Sequence, residues 1–259
     1  MYFILVFILG LFFGSFLNVI IDRTGKKESF ISGRSHCDFC KKELKWFDLI
    51  PLLSFLLLNG MCRYCGKKLS FQYPIVEIVT GILFLLSFIY SLNLFPLGGL
   101  SFIFVFLFSV IVSSSLLLVF MIDLKFGIIP DGIIIFSTAA TFIYLLYTGN
   151  FLHNFLTGIG TAAFFLLLTV ITKGKGMGMG DVKFAFLIGL LLGFPIALIS
   201  IYLAFLTGAF LSIILILAGI KKFKKDTIPF GPFLAFCTLL SFFIGNKILE
   251  ILLKILNFG

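Results

Sequence analysis

The sequence predicts an all-α, polytopic membrane protein of eight transmembrane helices, with one cytoplasmic loop that carries four cysteines. Three observations carry that prediction: long stretches without a charged side chain, a one-sided distribution of Lys and Arg, and two C-x2-C turns in the only sizeable polar segment. Of 259 residues, 61% are hydrophobic and the mean hydropathy is +1.22, whereas soluble domains run about 45–50% apolar.

A crossing needs about 20 apolar residues. Charge-free runs occupy 1–21, 78–122, 132–152, 154–172, 184–220 and 227–246. The runs 78–122 and 184–220 are long enough for two crossings each, and "NLFPLGG" (93–99) and "GFP" (193–195) supply the helix-breaking turns inside them. The first run starts at Met1 without a basic n-region, so it is expected to be a retained helix and not a cleaved signal peptide.

Lys and Arg orient the chain. Residues 22–73 hold ten of them; Lys125, then Lys173, Lys175 and Lys183, then Lys221, Lys222, Lys224 and Lys225 mark the later odd-numbered loops, and the even-numbered loops hold none. By the positive-inside rule the odd loops are cytoplasmic and both termini face outward. The net charge of +9 then reads as topology and attraction to anionic lipid. No basic soluble domain is left over for nucleic acid.

The loop contains "CDFC" (37–40) and "CRYC" (62–65), a C-x2-C-x21-C-x2-C pattern close to known zinc spacings. Each pair presents two thiolates on a tight turn, and two turns complete a tetrahedral shell. Cys37, Cys40, Cys62 and Cys65 are therefore candidate zinc ligands. A shell of four thiolates leaves no open position, so the zinc would be structural. A redox C-x2-C pair and a chance set of reduced thiols are the alternatives. Between the turns, "LIPLLSFLLL" (49–58) is too short to cross and is expected to be interfacial or re-entrant.

Ionisable residues in or at the edge of a membrane are costly, so each is a functional candidate. Asp123 ends one span and Asp181 opens another. The intervening 57 residues make one crossing out and one back, which returns both carboxylates to the cytoplasmic edge. Two carboxylates brought together share a proton, because like charges in contact cannot both ionise. The ionised member can activate water and the protonated one can polarise a peptide carbonyl. The glycines of "KGKGMGMGD" (173–181), Gly178 and Gly180 among them, offer close backbone approach and positive φ. Helix capping is the competing reading: it suits Asp131 after Pro130 and also Asp181. It does not suit Asp123, which lies at a helix C-terminus. A transport site is a third.

These residues resemble a known family. "GMGD" (178–181) matches the GxGD motif of intramembrane aspartic proteases, and "IDLKFGIIPD" (122–131) resembles the other aspartate motif of the type IV prepilin peptidases. "GSFLNVIIDR" (14–23), the four-cysteine segment (37–70), "YPIVE" (73–77) and "IPFGPFLA" (228–235) resemble further motifs of that family, in the same order. One departure is "DRTGKKE" (22–28), where the family usually shows a Pro soon after the Arg.

The resemblance implies a bifunctional enzyme of the bacterial cytoplasmic membrane. One activity removes the basic leader of prepilins or pseudopilins at the cytoplasmic face. The other methylates the new N-terminal amine with S-adenosylmethionine. It implies Asp123 and Asp181 as the catalytic pair, and Glu77, with Asn18 and Arg23, as methyl-transfer candidates. Apart from the resemblance, Pro229 belongs to a stretch whose rigid extended backbone is expected to align the substrate by backbone pairing, with a plain helix start as the alternative. The domain plan is then a first transmembrane helix (1–21), a zinc-binding, methyltransferase-associated loop (22–73) and a bundle with the protease core (74–259).

Overall fold

A computed structural model describes residues 1–26, 34–37, 39–174, 176–218 and 229–256. Lys175 and the four lysines at 221, 222, 224 and 225, used above for topology, lie outside those residues. The described chain is helical: α1 (Tyr2–Lys26), a 3-10 turn (Trp46–Leu49), α2 (Leu53–Leu57), α3 (Gln72–Leu94), α4 (Leu100–Phe126), α5 (Asp131–Thr148), α6 (Phe151–Ile171), α7 (Met179–Leu192), α8 (Ile196–Leu217) and α9 (Gly231–Leu256). No strand occurs among the described residues.

Each of the eight expected crossings corresponds to a helix, and both expected turns break the helices where the Pro and Gly residues stand. Seven of the helices are long and apolar enough to cross a membrane. The eighth, α7, has 14 residues, about 21 Å at 1.5 Å per residue, short of a hydrocarbon core about 30 Å thick. Many large apolar side chains on the long helices are exposed, Leu100 and Leu217 more than 80%, as expected of a surface solvated by lipid tails.

The chain divides into two compact units, Met1–Val110 and Ile111–Gly259. In the first, α1 packs on α3 through small residues. A Cβ on Gly10 would lie 2.7 Å from the Cα of Gly81, and one on Gly14 would lie 2.7 Å from the Cα of Glu77. Lipid offers apolar contacts as good as another helix does, so close packing of backbones has to drive helix association in a membrane. The G-x3-G spacing of residues 10 and 14 provides it. Beyond this contact Phe84 meets Phe106 edge to face, and Phe88 meets Phe102 and Phe106 in the same way at 5.6 and 6.0 Å, while Phe102 and Phe106 stack on each other.

The loop between α1 and α3 is built from two similar knuckles. In the first, the Cys37 N–H donates to Lys42 O and the Lys41 N–H to Cys37 O; in the second, the Cys62 N–H donates to Lys67 O and the Gly66 N–H to Cys62 O. Lys41 and Gly66 occupy the same place with φ of +56° and +67°. The segment 49–58 forms only the short helix α2, with Leu53, Leu56 and Leu57 exposed.

In the second unit α7 is the central helix. It packs on α5, α6, α8 and α9, and Phe184, Ala185, Ile188 and Leu190 are fully buried. A helix surrounded by protein has no polar face, which explains its uniformly apolar sequence. Against α6 the approach is close: a Cβ on Gly189 would lie 2.7 Å from the Cα of Gly158. Thr161 Oγ1 donates to Ala185 O at 2.8 Å and Asn154 Nδ2 to Leu190 O at 2.9 Å. Cys237, in α9, is buried beside Thr207, 3.6 Å away.

Candidate functional site

The aspartates belong to the second unit. Asp123 lies one turn before the end of α4 and is 4% exposed. Gly127, with φ +66°, ends that helix, and the turn 127–130 leads into α5. Asp181 is the third residue of α7 and is half-buried. The carboxylates are close enough for the charge on Asp181 to act on Asp123.

Backbone amides hold both. The Gly231 N–H donates to Asp123, and the Gly178 N–H donates to Asp181 Oδ2 at 2.9 Å. Asp181 therefore does cap its own helix, as the competing reading required, while its charge acts on Asp123. Asp123 has no such explanation.

Ile129 joins these parts. A Cβ on Gly180 would meet the Ile129 Cβ at 3.2 Å, and one on Gly231 would lie 3.3 Å from Ile129 Cδ1 and would strike Asp123 Oδ2. The three motifs that contain Asp123, Asp181 and Pro229 thus converge on one side chain. Gly178 differs: a Cβ there meets nothing closer than 3.8 Å. The expected positive φ falls elsewhere, on Lys173 and Gly174, not on Gly178 or Gly180. In "IPFGPFLA", Pro229 and Phe230 precede the helix that Gly231 opens; Ile228 lies outside the described residues.

The capping role expected of Asp131 is not met. Pro130 occupies the N-cap, and both oxygens of Asp131, the first residue of α5, lie 2.8 Å from Lys183 Nζ on α7.

The four cysteine sulfurs lie within 4.8 Å of one another, and Cys37 and Cys65 are 4.0 Å apart. Zn–S bonds of about 2.3 Å in a tetrahedron give S–S edges of about 3.8 Å, so the donor set fits zinc. A redox pair would bring two thiols together, not four. The second knuckle is tied to the 3-10 turn through Asp48, which accepts from Arg63 Nε at 2.7 Å, Tyr64 OH at 3.0 Å and the Lys45 N–H at 3.1 Å. Burial pushes Asp48 up, and these donors outweigh it, so the carboxyl sits below its ordinary range.

At the start of α3 the methyl-transfer candidates form a polar cluster. Asn18, 3% exposed, donates to Tyr73 O at 3.1 Å and accepts from Gln72 Nε2 at 3.4 Å. Glu77 accepts from the Leu52 N–H at 2.9 Å and from the Ser15 hydroxyl. Tyr73 OH donates to Asp22 Oδ2 at 2.8 Å. Arg23 Nη2 donates to Arg34 O at 3.3 Å. Leu52 holds φ at +59°, a region unfavourable for a branched side chain; this conformation accompanies the bond from its amide to Glu77.

Sequence reasoning passed over Gly231, Ile129, Lys183 and Tyr73. Tyr73 is one helical turn before Glu77, a spacing that places both on one face. Gly231, the glycine of "PFGP", carried a weak signal. Ile129 carried none.

The fold and these sites define a polytopic membrane protein with two aspartates at helix ends and a cluster of four thiols that could hold a metal ion. Residues 8–91 match the family described as bacterial peptidase A24 N-terminal domain, and residues 110–213 match the type IV leader peptidase family. The chain is similar to the prepilin leader peptidase/N-methyltransferase of Bacillus subtilis (strain 168), 35% identical over 96% of this chain and 97% of that protein. It is 31% identical to the protein of the same name from Aeromonas hydrophila, over 96% of this chain and 92% of that one. The type 4 prepilin-like proteins leader peptide-processing enzyme of Escherichia coli O78:H11 is 33% identical over 87% of this chain and 88% of that one. The chain belongs to the type IV prepilin leader peptidase family. No solved structure matches it.

Proposed function

We propose that this protein is a bifunctional membrane enzyme: an aspartic endopeptidase that removes the basic leader of prepilins or pseudopilins, and an N-methyltransferase that modifies the new N-terminus with S-adenosylmethionine. The observation that carries the first activity is the convergence of Asp123 and Asp181 with the Gly231 amide and Ile129.

In the cleavage step one carboxylate is ionised and its partner protonated. The ionised member takes a proton from water as the water oxygen attacks the scissile carbonyl carbon. The protonated member delivers its proton to the carbonyl oxygen. Collapse of the tetrahedral intermediate breaks the C–N bond, and the leaving amine takes up a proton from the pair. Pro229 and Phe230, just before α9, provide the extended backbone beside which the substrate lies.

Methyl transfer is assigned to the first unit. The carboxylates of Asp22 and Glu77 with the carboxamide of Asn18 suit a cationic partner, which fits the amine and the sulfonium of S-adenosylmethionine alike. That cofactor supplies the methyl group. Glu77 orients the amine and accepts the proton that it gives up.

The zinc is structural, held by Cys37, Cys40, Cys62 and Cys65. The protein sits in the bacterial inner membrane with α7 as an eighth crossing, both termini outside and both sites at the cytoplasmic edge. Prepilin and lipid are its partners, and nucleic acid is not.

The test is the pair Asp123→Asn and Asp181→Asn, assayed for leader cleavage of a prepilin in membranes. Asn keeps the shape but cannot share the proton. Cleavage at the normal rate in either variant would overturn the assignment.

A further inference from the structure

We propose that Asp131 and Lys183 form a latch that positions the two aspartates for cleavage. The proposal rests on Asp123 and Asp181 being the cleaving pair and adds two positioning residues to that site.

The latch closes a ring. From Asp123 the chain runs through the turn 127–130 to Asp131 at the start of α5. Asp131 holds Lys183 with both carboxylate oxygens at 2.8 Å. Lys183 is two residues beyond Asp181 on α7. Asp181 in turn acts on Asp123. Inside the ring, Ile129 fills the space left by the missing side chains of Gly180 and Gly231. The turn 127–130 is thus fixed at both ends. On one side is α4 with Asp123, and on the other is the first turn of α7, to which the ion pair fastens the start of α5.

An exposed ion pair adds little to global stability. Its side chains are about half exposed, 49% for Lys183 and 59% for Asp131, so stabilisation is a poor account of it. Position is a better one. Catalysis needs the reacting groups aligned to a fraction of an ångström, and a displacement of about 1 Å can cost about a hundred-fold in rate. Without the pair, α5 and α7 retain their other packing but lose the contact that sets the first turn of α7 against the Ile129 turn.

The experiment uses the full-length enzyme in lipid nanodiscs and a prepilin substrate, with kcat and KM for cleavage measured separately. Asp131→Asn and Lys183→Met are expected to lower kcat roughly ten- to hundred-fold with KM little changed. Lys183→Arg keeps the charge and can reach both oxygens, and should retain most activity. The swapped double variant, Asp131→Lys with Lys183→Asp, should recover much of what either single change loses. Thermal melting should be close to that of the unaltered enzyme in all four. Normal kcat in Lys183→Met overturns the latch. So does a swapped enzyme no better than the product of the single losses, which would show the residues acting independently. A raised KM with normal kcat also overturns it, since Lys183 would then contact substrate directly. Asp123→Asn and Asp181→Asn run alongside: if these cleave normally, the dyad itself fails, whereas dead aspartate variants beside fully active latch variants sink the latch alone.

Discussion

The backbone amide of Gly231 donates a hydrogen bond to the carboxylate of Asp123. The donor opens α9 and the acceptor ends α4, more than a hundred residues earlier in the chain. Glycine is required here for space, since its φ is not in the left-handed region and any Cβ would strike Asp123 Oδ2.

Gly231→Ala should therefore fold and fail to cleave. The added methyl displaces the Asp123 carboxylate, and a loss of roughly a hundred-fold in kcat is expected. Cleavage kinetics on a prepilin, with a melting curve to establish folding, check it.

The two glycines of the GxGD motif should respond differently. A Cβ at Gly180 presses on the branched Cβ of Ile129 at 3.2 Å, where nothing flexible can yield, while one at Gly178 meets its nearest atom at 3.8 Å, an ordinary contact, with a φ of −91°. Gly180→Ala should cost much of the cleavage rate and Gly178→Ala little. Equal or reversed losses in a side-by-side assay would contradict the packing described.

Glu77→Gln should separate the activities. Glutamine can still accept the Leu52 N–H, so the loop stays in place, but it cannot take a proton. Methyl transfer to an already cleaved pilin should fall sharply while leader cleavage by the same preparation continues at its usual rate. Mass spectrometry of the pilin N-terminus reads both.

Asp48→Asn should weaken the metal centre without touching a ligand. The carboxylate gathers Arg63, Tyr64 and the Lys45 amide around the second knuckle, and hydrogen bonds to a charged group contribute about 1.5–3 kcal/mol. The variant should release zinc to a competing chelator faster than the unaltered protein. Unchanged release would place the stability of the centre in the four thiolates alone.

The sequence by itself determined where the helices are, because a charge cannot be left in hydrocarbon and twenty apolar residues have few other uses. It picked out the four cysteines whose sulfurs cluster, since each C-x2-C turn brings two thiols together locally. It also singled out Asp123 and Asp181, since the topology expected from charge would return both to one membrane edge. Tertiary structure decided the rest. Asp131 looked like a cap from its neighbour Pro130, yet it answers to Lys183, a partner 52 residues away that local sequence could not reveal. Gly178 and Gly180 looked alike in the motif, yet only Gly180 is tightly packed, because Ile129 comes from another helix junction. The 14 residues of α7 looked like half of a long apolar run. Their short length is tolerable because four helices surround them and satisfy in packing what a longer helix would take from lipid. Periodicity and charge report how each segment meets its solvent, and contacts between distant segments appear only once the chain has folded.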